Sequence, residues 1–243
     1  MSHQEFRQRL ARRLAWQRAA HDAVRDPRNL LPQLSLLRQW QARRLAESFA
    51  DFLADPKMRP AAEFFLSDLY GDKDFSARDR DAARILPLMS RLLPDTLLRA
   101  ATEAIELAVL SHALDLRVAA ALARRPKPLA PITLADYARA YRAGRYRHLR
   151  RHQIELVMKV GHALDVAVKK HGVYKLLRAS RIPAQLAGLS ELQAFLERGF
   201  TAFDALGGAD EFLAAVSKRE LAVSERLFGG HPDPFAQPNS SSR

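Results

Sequence analysis

Apolar residues recur at three- and four-residue spacing along most of this chain, and no segment alternates apolar and polar positions as a half-buried strand does. The pattern predicts an all-α fold, a multi-helix bundle. Phe6, Leu10 and Leu14 line one face of a first helix whose other faces carry Arg7, Arg9, Arg12, Arg13 and Arg18. A second helix is expected from about 35 to 53, burying Leu37, Trp40, Leu45 and Phe52, with Pro56 and Pro60 bracketing the break after it. A short helix over 63–70 should end at Gly71, Ser76 should cap the next with Asp79 three residues on, and Pro87 should kink that helix. A long helix follows Pro94 and reaches about 124. Its inward face is read through Leu98, Ile105, Val109 and Leu116, and a more polar face through Leu97, Ala101, Ala108, His112, Asp115 and Ala119.

Three prolines, Pro126, Pro128 and Pro131, stop that helix and favour extended polyproline geometry over 125–132. The segment divides a helical part, 1–124, from a second, 133–228. These are either two lobes or one domain over 1–228. In the second part Thr133 should cap a helix reaching Arg142, and Gly144 should interrupt it. A long helix then runs to His171, with shorter ones near 173–180, 190–206 and 209–227. From Gly229 the composition is that of a disordered tail, 229–243.

Charge narrows the picture. The net charge is +12, and residues 101–150 alone carry 9 Lys and Arg against 4 Asp and Glu. Between Arg139 and His152 stand Arg139, Arg142, Arg145, Arg147, Arg150 and Arg151, with Tyr141 and Tyr146 interleaved and no acid. Guanidinium groups this dense repel one another unless solvent, internal carboxylates or a bound polyanion compensates them. These eight residues are the candidate site for an anion or nucleic acid, the arginines supplying charge and the tyrosines stacking. The competing reading is a solvated face paired with the acidic cluster of Asp68, Asp72, Asp74, Asp79 and Asp81.

Catalytic signatures are weak. There is no cysteine, which removes thiol chemistry and thiolate metal sites. No GxSxG elbow and no phosphate-binding glycine loop is present. A near-repeat places His112 with Asp115 and His162 with Asp165, each at i and i+3 on a helix. If those helices packed antiparallel, their ligands would converge as in a carboxylate-bridged metal bundle. The order of residues is the reverse of that motif, and no metal or other cofactor is expected. The chain reads as non-enzymatic, with a metal-dependent helical-bundle enzyme and an oligomeric scaffold as alternatives. The absence of a long apolar run points to a cytoplasmic location.

The segment Phe64-Phe65-Leu66-Ser67-Asp68-Leu69-Tyr70-Gly71, followed by Asp74-Phe75, Arg78-Asp79, Arg84-Ile85-Leu86-Pro87 and Arg91-Leu92-Leu93-Pro94, resembles a family of uncharacterised bacterial helical proteins with an FFLxDLYG signature. The resemblance implies an all-helical fold and supplies no activity. Read physically, the bulky groups from Phe64 to Tyr70 are core-packing residues. The functional expectation is an accessory protein that meets an acidic partner, either nucleic acid or a protein surface, with little sequence specificity.

Overall fold

The computed structural model describes residues 3–69, 81, 84–85, 95–170 and 172–236. Among them every regular element is helical and none is a strand. In chain order these are α1 (His3–His21), a 3-10 turn (Pro27–Leu30), α2 (Pro32–Ser48), α3 (Ala50–Ala54) and α4 (Arg59–Phe64), which runs into a π-helical turn (Phe65–Leu69). Then come α5 (Asp95–Leu122), α6 (Leu134–Ala143), α7 (Arg147–Val168), α8 (Val173–Ala179), α9 (Arg181–Leu186), α10 (Ser190–Leu206) and α11 (Asp210–Gly229). The turn expected at Gly71, the cap at Ser76 and the kink at Pro87 lie outside the described residues, as do the side chains of Phe6, Leu69, Leu97 and Leu98.

The expected second helix is two. Phe49 leaves helical geometry at φ −115° and ψ 21°, and its ring packs against Phe52 and Phe65. The long α5 is central to the packing rather than one-faced. Leu10 and Leu14 of α1 cover Ile105 and Val109, Leu156 of α7 covers Leu110 and Leu114, and α2, α6 and α11 enclose Leu116, Ala119 and Leu122. The face read as more polar is therefore buried too, with His112 at 5% exposure and Ala119 at 0%. Helices α5 and α7 run antiparallel. Glu106 meets His152, Ser111 accepts from Gln153 at 2.7 Å, and Arg117 lies over Tyr146.

Both large apolar cores draw on residues from either side of the proline segment. Phe64 and Phe65 pack with Phe203 and Phe212 in one, and Leu34 and Leu37 with Tyr137 and Leu227 in the other. The segment itself is a folded corner, not an extended spacer. The Arg125 guanidinium gathers it, donating to the carbonyls of Pro128, Ala130 and Pro131 and to the Asp136 carboxylate. Residues past Gly229, expected as a free tail, are docked as far as 236. Gly230 turns the chain at φ 74°, Arg226 donates to the Pro234 carbonyl, and Phe235 packs on Trp40 and Tyr137 beneath Arg44. A lone aromatic among prolines and glycines anchors that stretch.

Candidate anion-binding corner

The sharp turn from α6 to α7 is built by local chemistry. Thr133 caps α6 through a reciprocal box, its hydroxyl accepting from the Asp136 amide at 3.2 Å while Asp136 accepts from the Thr133 amide. The helix ends at Gly144, where a Cβ would stand 2.3 Å from the Tyr146 ring; a residue without a side chain lets that ring fold back. Arg145 then sits at φ 52°, in the left-handed region, and α7 starts two residues later.

This turn sends the six arginines in different directions. Arg142 donates to the Leu227 carbonyl in the last turn of α11, where the helix dipole favours a cation. Arg150 is buried at 8% exposure. Its guanidinium lies 4.4 Å from the Tyr141 ring centroid and donates to Gln153 at 3.1 Å. Arg147 and Arg151 share one carboxylate, Glu225 of α11, at 3.1 and 3.5 Å, and Arg147 also covers Phe228. Arg139 and Arg145 are exposed and meet no carboxylate among the described residues. Within the acidic cluster, Asp68 pairs with Arg198 and Asp81 with Arg84, neither from this stretch. Asp72, Asp74 and Asp79 lie outside the described residues.

The tyrosines brace cations instead of presenting open faces. Tyr141 donates its hydroxyl to Ser224 at 3.0 Å and packs against Tyr137 and Phe228. Burial pushes that hydroxyl up to about 12, against a smaller opposing pull from Arg150. Tyr146 carries the Arg117 guanidinium 4.6 Å from its centroid. Faces expected to stack on bases are thus occupied by the protein's own arginines.

Between these braced groups lies a cleft of about 230 Å³. Arg28, Arg117, Arg124, Tyr141, Tyr146 and Arg150 line it, together with Leu114, Val118, Ala120, Ala121, Ala140, Ala143, Gly144 and Phe228. Among the described residues no carboxylate lines it. Arg28 is held in place by a two-pronged contact with Asp26, which raises the pKa of Arg28 and lowers that of Asp26. Arg117 donates once, to the Ala113 carbonyl, and Arg124 is exposed. Arg28, Arg117 and Arg124 fall outside the arginine-dense segment. The seven-residue interval between Arg117 and Arg124 hinted at those two, and no signal marked Arg28.

The His–Asp repeat does not converge. Ser111, next to His112, meets Gln153 in the antiparallel register, so His162 lies nine residues farther along α7, roughly 14 Å away at the helical rise. His112 stacks on His21 at 3.9 Å, accepts from Arg38 and donates to Asn29. Burial above all, with His21 and Arg38, holds its pKa at about 3. Asp115 accepts from Gln41 at 3.2 Å. On α7, His162 faces Asp210, while Asp165 accepts from the Ala209 amide at the head of α11 and pairs with Lys169. Among the described residues no three His, Asp or Glu side chains are grouped to hold a metal ion.

Fold and corner together define an all-helical protein with an arginine-lined cleft at one helix junction. The chain belongs to the DUF8198 family, a domain of unknown function, which matches residues 20–234 and so begins at the end of α1. This agrees with the resemblance to an uncharacterised helical family. No curated protein and no solved structure matches the chain. Among the described residues no helix is long and apolar enough to cross a membrane.

Proposed function

We propose that this chain is a non-enzymatic accessory protein of the bacterial cytoplasm that binds a flexible nucleic-acid strand at the α6–α7 corner. One observation carries the reading: four arginines and two tyrosines, with no carboxylate among the described lining residues, enclose a cleft beside the exposed Arg139 and Arg145. None of the exposed large apolar side chains lies between 139 and 151, so the corner lacks the aromatic anchor on which tight protein interfaces depend. Affinity there has to come from charge, which a phosphate backbone supplies. Arg145 strengthens the case. A left-handed backbone costs a non-glycine residue roughly 1–2 kcal/mol, and this chain places an exposed cation there.

The test is binding of a labelled single-stranded oligonucleotide at several salt concentrations. About four phosphate contacts should give a slope of log K against log salt near −3, at about −0.7 per contact for single strands. Arg145→Gly should weaken binding while leaving the melting temperature unchanged or raised, because glycine relieves the backbone. Absent or salt-insensitive binding rejects the reading. A second reading, an oligomeric scaffold, is favoured by Leu176, Ile182 and Leu186, which α8 and α9 leave 72%, 69% and 85% exposed.

A further inference from the structure

We infer that the cleft between α5, α6 and α7 seats the terminal phosphate of a phosphomonoester. The inference rests on the anion-binding reading of the same corner and names the group that enters it. Its centre is Arg150, nine-tenths buried, lining the cleft, and without a carboxylate in ion-pair contact among the described residues. Among the described residues one of its five N–H groups is engaged, on Gln153. Asp115 feels its field, but that carboxylate is hydrogen-bonded to Gln41 and makes no ion pair with Arg150. A buried guanidinium in this position is compensated best by an anion delivered from outside.

The other cations converge on the same space. Arg117 is braced over Tyr146 with one donor spent, Arg28 is locked by Asp26, and Arg124 stands open at the mouth. Ring and carboxylate braces fix these forks before a ligand arrives, which lowers the entropy lost on binding. The volume, about 230 Å³, lies under the roughly 300–1,000 Å³ of whole-ligand pockets, so the cleft takes a group at the end of a larger molecule. Four guanidinium groups, of which Arg28 alone is paired with a carboxylate among the described residues, suit a dianion with three terminal oxygens better than a carboxylate. The 3-10 turn, α5, α6, α7 and α11 all contribute walls to this space.

Such a phosphate belongs either to a nucleic-acid end or to a small phosphorylated molecule. Calorimetry separates them, using inorganic phosphate and two oligonucleotides of one sequence, with and without a 5′-phosphate. The phosphorylated strand should bind at least about tenfold more tightly than its hydroxyl-ended twin, and inorganic phosphate should compete. Arg124→Gln, at an exposed side chain, should erase that advantage without lowering the melting temperature. Equal binding of the two strands with no effect of phosphate overturns the inference and leaves the nucleic-acid reading standing. Binding of phosphate without either strand supports the seat, assigns it to a small molecule and removes the nucleic-acid reading. Failure of all three ligands overturns both.

Discussion

His112→Asn is expected to flatten the loss of stability that the wild-type protein shows between pH 6.5 and pH 4. The imidazole is buried, its Nδ1 accepting from Arg38 and its Nε2–H donating to Asn29, so the ring is neutral and a second proton would face a guanidinium. Its folded pKa of about 3 lies below the ordinary value of 6.5, chiefly through desolvation, then His21 and Arg38, with the Ala20 backbone and Asp26 pulling the other way. Between those values the unfolded chain binds the proton and the folded chain does not. The contribution is therefore intact above pH 6.5 and declines as pH falls toward 3. At pH 4 the loss amounts to about 3 kcal/mol. Desolvation raises the pKa of Asp115, which favours the folded state in acid and partly offsets the loss. Subtracting variant from wild type isolates the histidine. Urea midpoints at pH 7, 5 and 4 should converge for the variant, whereas parallel curves would show that His112 titrates normally.

Opposite changes in affinity are expected from the two sides of one surface contact. Glu225 is the carboxylate that Arg147 and Arg151 share, and all three side chains are about half exposed, so the contact adds at most about 1 kcal/mol to folding. It does neutralise cations that would otherwise face a partner. Glu225→Gln should raise oligonucleotide affinity about tenfold at 50 mM salt, and Arg147→Glu with Arg151→Glu should lower it by more than about 100-fold. Neither variant should shift the melting temperature by more than a few degrees. Fluorescence anisotropy reads both. Movement in the same direction, or none, would mean that the partner does not touch this face.

Features fixed by neighbouring residues were legible in the sequence. The Thr133–Asp136 box, the interruption at Gly144 and the start of α5 after Pro94 depend on backbone chemistry within one turn, and the helices follow them. Directions across the fold were not. Arg147 and Arg150 are three residues apart on one helix, yet one meets solvent and the other the core, a distinction set by where α5 and α11 press on α7. Glu225 lies more than seventy residues from the arginines it serves. The cleft likewise needs Arg117, which joins Arg150 only through the antiparallel register of α5 and α7, and Arg28, which comes from the 3-10 turn. That same register separates His112 from His162, although their local sequences nearly repeat. Tyrosines interleaved with arginines do mark the corner, but the sequence alone cannot say that the rings are already covered.

Arginine Nε–Hε resonances followed during titration with a 5′-phosphorylated oligonucleotide test the central claim most directly. Signals from Arg117, Arg124, Arg145 and Arg150 should move together and saturate, while those of Arg44 and Arg181, held by Glu220 and Glu197, stay in place. A titration that shifts arginines elsewhere and leaves these four untouched would contradict it.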